Sequence, residues 1–189
     1  LTIGVELVDA RTKKIIWAEQ YDRKMSDLLA TQREIATTIT QKLELKLAGN
    51  EATGITKRYT DSNEAYQLYM RGRYSFAKRT REEMPRAIEY FRQAIKLDPK
   101  FALAYARVAE VYASMPAYPY VSPNEAFPQA KAATQKALEI DPTLAEAHTF
   151  LAYSLVIYDW NWTEAERSFK RAIELDPNNA AAHFRYGQV

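Results

Sequence analysis

The chain has no cysteine among its 189 residues, which excludes disulfides, thiolate nucleophiles and thiolate metal sites and leaves the redox compartment open. Its five glycines, at positions 4, 49, 54, 72 and 187, are too scattered to form a phosphate-cradling loop, so no nucleotide signature is present. No apolar run reaches the 18 or so residues of a membrane-spanning helix, so membrane insertion is not expected. Neither sign of charge is in large excess. Lys plus Arg number 26 against 24 Asp plus Glu. Divided at Arg58, the chain has 10 basic and 8 acidic residues before the break and 16 of each after it, so neither part attracts nucleic acid by bulk charge. What is present, 47% apolar and 12% aromatic residues, suffices for a folded core.

Self-similarity is the dominant feature. Ala-Ile-Lys-Leu-Asp-Pro at 94–99 returns as Ala-Leu-Glu-Ile-Asp-Pro at 137–142 and Ala-Ile-Glu-Leu-Asp-Pro at 172–177. The prolines stand 43 and then 35 residues apart. Each phrase ends an amphipathic helix: Asp98, Asp141 and Asp176 can accept hydrogen bonds from nearby backbone, and the proline biases its predecessor away from the helical region. New helices are expected near Ala102, Ala145 and Ala180. Upstream of each turn, Ala87/Phe91/Ala94, Ala130/Thr134/Ala137 and Ala165/Phe169/Ala172 fall on one face of a second helix. The first helices show Leu68/Gly72, Tyr105/Val108/Ala109/Tyr112 and His148/Leu151/Ala152/Leu155, with His183, Tyr186 and Gly187 opening a fourth.

These residues resemble the tetratricopeptide repeat family, whose period is about 34 residues. The resemblance covers roughly residues 62–189 and implies a mainly α fold, a right-handed solenoid of helical hairpins divided at 62–99, 100–142, 143–177 and a truncated 178–189. Thr134 departs from the family's aromatic, and extra residues stand near Lys78–Glu83 and in the second repeat. Second helices are expected to begin at Thr80-Arg-Glu-Glu83, Ser122-Pro-Asn-Glu125 and Asn161-Trp-Thr-Glu164, each a capping box or close variant. Pro123 suits a first helical position, whereas Pro85 and Pro128 sit less comfortably. Ser114 to Pro123, with three prolines and two tyrosines, reads as an extended, stiffened loop.

Residues 1–50 have a different pattern. Ile3/Val5/Leu7 alternate as in a strand, Ile15 to Tyr21 read as a second strand across a turn at Asp9–Lys14, and Ser26 opens a helix. Its apolar face carries Leu28, Leu29, Ile35, Ala36, Ile39, Leu43 and Leu47, and Gly49-Asn50 ends it. The run Val5 to Ala10 followed by Ile15 to Asp22 resembles the end of the TolB-like domain that precedes such repeats in bacterial signalling proteins. A linker is expected over 51–61. Both chain ends read as cut, so a longer protein is expected.

No catalytic residue, cofactor or metal is expected. His148 and His183 are 35 apart at equivalent repeat positions, which favours packing over a metal pair. The Lys78-Arg79-Thr80-Arg81 run, followed at once by Glu82-Glu83, reads as a solvated helix junction. Trp160 and Trp162 read as core or edge packing. The family resemblance instead places a peptide groove on the first helices: Tyr66, Tyr69, Met70, Arg73 and Phe76; Leu103, Arg107 and Glu110; Glu146, Phe150, Tyr153 and Ile157; Phe184 and Arg185. The alternative for Tyr66, Tyr69 and Phe150 is packing against neighbouring helices or against the N-terminal segment.

With Tyr69 and Arg73 where chaperone-binding relatives carry clamp residues, and no Asn in the groove, recognition of a terminal carboxylate is disfavoured. The expected function is a non-catalytic scaffold for a protein or peptide. The rival is a regulatory region of a larger protein bearing a nucleotide cyclase, kinase or winged-helix domain. A cytoplasmic location is expected, with a periplasmic part of a membrane-anchored protein as the alternative, and the last repeat offers a face on which a second copy can stack.

Overall fold

The computed structural model describes residues 2–9, 11–24, 27–42, 59–118 and 121–189. It divides into two compact units, Leu1–Asn63 and Glu64–Val189.

In the first unit β1 (Thr2–Val8) pairs antiparallel with β2 (Ile15–Asp22), Thr2 opposite Asp22 and Leu7 opposite Trp17. Ile3, Val5 and Leu7 are half-buried between exposed neighbours, the alternation of a strand with one covered face. Asp9 closes the turn, its Oδ1 accepting from the Arg11 and Thr12 N–H groups at 2.8 and 3.0 Å. Tyr21 is 2% exposed, and its hydroxyl donates to Glu19. Helix α1 (Leu28–Lys42) is tied to the end of β2 by an Arg23–Glu34 ion pair of 3.2 Å. The later part of the expected helix, including Leu43, Leu47, Gly49 and Asn50, lies outside the described residues, as does most of the expected linker.

The second unit is an array of helices in sequential hairpins: α2 (Asn63–Ala77), α3 (Glu83–Leu97), α4 (Ala102–Ser114), α5 (Pro123–Ile140), α6 (Ala145–Ile157), α7 (Trp162–Leu175) and α8 (Ala180–Gly187). First helices begin at Ala102, Ala145 and Ala180, the positions expected from the Asp-Pro turns. Those turns are nearly superimposable. Asp98, Asp141 and Asp176 share φ/ψ near −137/92, −136/92 and −141/93. Each carboxylate accepts from the N–H two residues on, at 3.0, 3.0 and 3.1 Å, and each Asp N–H returns to the alanine carbonyl four back. Local chemistry therefore sets the turn three times over.

The small–large–small faces form the core. Ala87, Phe91 and Ala94 are fully buried, as are Ala130, Thr134 and Ala137, and Ala165, Phe169 and Ala172. Gly72 is required by close approach: a Cβ there would lie 2.6 Å from Phe91 Cε1. Second-helix starts differ in how completely they are capped. The Ser122 N–H and hydroxyl both donate to Glu125, at 3.2 and 2.9 Å, with Pro123 at the first helical position. Thr80 and Asn161 accept from the Glu83 and Glu164 N–H groups, but neither glutamate reaches back. Pro85 falls in the first turn of α3, where its missing N–H has no helical acceptor to lose. Pro128 lies farther inside α5, yet the helix continues through it to Ile140.

One expectation is corrected and a second is narrowed. The segment after Ser114 is not extended at its start: Met115–Ala117 forms a 3₁₀ turn with Met115 buried, because the fixed φ of Pro116 suits that turn as well as an extended chain. Of the core and edge readings for Trp160 and Trp162, the core one is ruled out. The two residues are 72% and 50% exposed and face one another at 6.5 Å across the α6–α7 turn. Trp160 takes φ 56 there, the left-handed position of a helix end closed by a bond from Asn161 N–H to the Leu155 carbonyl.

Candidate protein-interaction face

The side chains that the sequence places in a groove lie on α2, α4, α6 and α8, and most are joined to one another. Tyr69 on α2 is 3% exposed. Its ring is wedged between Phe91 and Phe101, with centroids 5.7 and 5.1 Å away, and Tyr66 stacks on it at 5.9 Å. Arg107 on α4 donates through Nε to Tyr69 Oη at 3.3 Å and through Nη1 to Glu110 at 2.7 Å. Its Nη2 stands 4.0 Å from Glu146 on α6. Burial disfavours the Arg107 charge, but the Tyr69 oxygen and the Glu110 carboxylate outweigh it and hold the pKa above the usual arginine value. Arg107 is thus a permanently charged tie linking α2, α4 and α6.

One helical turn beyond Glu146, Phe150 continues the row. It is 1% exposed, and the Arg185 guanidinium of α8 lies 5.5 Å from its ring and 4.0 Å from that of Tyr153. These contacts carry the ladder to the fourth first helix, with each cation held over a ring or against a carboxylate.

The accessible part of this face is narrower than the sequence suggests. Tyr69, Phe76, Leu103 and Phe150 are buried, because their positions fall on the seam between successive helices, and they offer little surface to a ligand. Tyr66, Arg107, Glu110, Glu146, Tyr153 and Arg185 are partly covered. Met70, Arg73, Ile157 and Phe184 are exposed, with Phe184 at 66%. Arg73 lies 6.0 Å from the Tyr69 ring. Sequence reasoning did not find the Arg107 ion pair or the Arg185 rings; only the recurrence of arginine among aromatics hinted at them.

The remaining singled-out residues have local partners. His148 and His183 each place Nε2 2.9 Å from the carbonyl of the preceding turn proline, Pro142 and Pro177, so equivalent position means equivalent contact. In the basic run, Lys78 pairs with Glu83 at 3.0 Å and the Arg79 guanidinium covers the Phe76 ring at 3.7 Å. Among the described residues no helix is long and apolar enough to cross a membrane.

Comparison with known proteins agrees with this architecture. Residues 80–101 match the sequence profile of the tetratricopeptide repeat. The TPR2B domain of yeast Sti1, solved in a complex with an Hsp70 peptide, is 23% identical and aligns with a TM-score of 0.53 over 67% of this chain and 93% of its own. The first TPR of Spaghetti (RPAP3), bound to the HSP90 peptide SRMEEVD, is 20% identical with the same TM-score over 69% of this chain and 93% of its own. The helical array therefore has the tetratricopeptide-repeat fold, preceded by a two-stranded sheet. A protein of Rhizobium meliloti (strain 1021) named "Putative adenylate cyclase 3" is 30% identical over 157 residues, 82% of this chain. This chain spans about a quarter of that relative's length, 27%.

Proposed function

We propose that residues 62–189 are a non-catalytic protein-interaction scaffold that takes a peptide or partner helix on the face formed by α2, α4, α6 and α8. The ladder Tyr69–Arg107–Glu110–Glu146 carries this reading. It fixes the floor of the face in one geometry, so the exposed Met70, Arg73, Ile157 and Phe184 are presented at low entropic cost. Buried Tyr69 and Phe150 set the shape of the face, and the exposed residues touch the partner.

A peptide selected on the chain from a random display library should lose about tenfold or more in affinity when Met70 and Phe184 are both replaced by Glu, with helicity unchanged. Equal binding to the double variant, or failure to select any peptide, would remove the reading. The peptide SRMEEVD should not bind, since Tyr69 and Arg73 stand where a carboxylate clamp needs Lys and Asn.

A second reading is favoured by the cyclase-named relative. Its match covers too much of this chain to be confined to the array and must extend into residues 1–63. On this reading, a TolB-like end, a linker over 51–61 and the repeats form a regulatory region of a longer bacterial signalling protein. Its test is the cyclase activity of the full-length protein, which should change when Met70 and Phe184 are replaced.

A further inference from the structure

The opposite side of α4 carries a second site. Tyr105, Val108 and Tyr112 lie roughly half a turn from Leu103, Arg107 and Glu110, at about 100° per residue, and therefore face away from the ladder. They floor a cavity of about 280 Å³ walled by α3 and α5, with Arg92 at one lip and Lys136 at the other. The volume is near the lower end of small-molecule sites, roughly 300 Å³. The Arg92 guanidinium meets Tyr112 Oη at 3.0 Å and no carboxylate among the described residues. Lys136 is neutralised by Glu139 at 3.0 Å. The site thus carries one uncompensated positive charge beside an apolar and phenolic floor.

The next groove along the array shows that this is not a general property of the stack. In the register set by the Asp-Pro turns, Arg167 occupies the place of Ala132, Ser168 that of Ala133, and Gln135 that of Arg92. Arg167 pairs there with Glu164 at 3.2 Å. Two adjacent alanines and an unpaired arginine are peculiar to the first groove.

We propose that this cavity binds a small organic carboxylate: a single anion, held by the Arg92 fork and Tyr112, carried on an aromatic or short aliphatic body lying over Val108 and Ala133. One negative charge matches the one unpaired cation, and a guanidinium recognises a carboxylate through parallel N–H donors.

The test is titration of the full chain with 3-phenylpropionate, and separately with neutral 3-phenylpropanol and with acetate, followed by amide NMR shifts. The carboxylate should give saturable shifts centred on Ala132, Ala133 and Lys136, and each of the other probes should bind at least about tenfold more weakly. Arg92→Gln should weaken the carboxylate by a similar factor, and Ala133→Leu, which puts a branched side chain where the ligand body would lie, should abolish its shifts. Melting temperatures of both variants, expected near that of the parent, separate loss of binding from loss of fold. Equal affinity for the alcohol, shifts insensitive to Ala133→Leu, or no saturable shift at all would overturn the proposal.

Discussion

The middle hairpin and its neighbours solve one packing problem in two ways. In the first hairpin Phe91 fills the space between helices against Gly72, and in the third Phe169 does so within a cluster of Ala152, Val156 and Ala165. The middle hairpin has Thr134 at that place, fully buried, its hydroxyl donating to the Ala130 carbonyl at 2.9 Å. Its aromatic stands two turns earlier on the same helix. Phe127, 1% exposed, packs with Ala113 and Ala130 and stacks on Tyr158 at 5.4 Å. In the repeat register that position holds buried Met84 in the first hairpin and half-exposed Trp162 in the third. What the hairpins hold in common is filled volume between helices, and no single position is obliged to fill it.

The comparison can be broken most sharply by truncation. Phe91→Ala should cost about 3–5 kcal/mol in urea unfolding, and Phe127→Ala a similar amount, whereas Thr134→Ala should cost on the order of 1 kcal/mol. If Thr134→Ala matched Phe91→Ala while Phe127→Ala were mild, the aromatic would not have moved. Next in size is Gly72→Ala, which drives a methyl into the Phe91 ring and should cost about 1–3 kcal/mol. Combined with Phe91→Leu, it should cost less than the two changes added separately, because the smaller side chain vacates the clash. Additive costs would show that the ring and the glycine are not coupled.

How much of this was legible depended on the range of the chemistry involved. The Asp-Pro turns and helix starts could be read directly, because Asp98, Asp141 and Asp176 bond within two residues of themselves. The relocation of the aromatic was visible only as a gap at Thr134. That Phe127 fills the space depends on Tyr158 and Ala113, which approach it only when the hairpin closes. On the proposed interaction face, the repeat register placed the helices. It could not separate Tyr69, wedged between Phe91 and Phe101, from Met70 beside it, because that depends on the rotation of each helix in its seam. Arg107 was named for its position, and its partners Tyr69 and Glu146 lie on other helices. Replacing Arg107 with Met should leave Glu110, 13% exposed, without its partner and cost about 1–3 kcal/mol, less than losing Phe91. The replacement should also loosen the face, lowering hydrogen-exchange protection in α2 and α6 as well as in α4.

The smallest effect concerns the junctions between the two helices of a hairpin. Glu125 turns back to its own cap residue, whereas Glu83 reaches across to Lys78 on the preceding turn. The hydrogen bond from Lys78, with another from Ser75, holds the Glu83 carboxyl below the ordinary 4.5. A lowered folded value means that folding favours the ionised form. The contribution is therefore complete above the unfolded value and is lost as pH falls through the lower folded one. A side-chain NMR titration should give Glu83 a midpoint under 4.5, and Lys78→Met should move it upward. A midpoint indifferent to Lys78→Met would mean that the first junction, like the second, is held by its helix start alone.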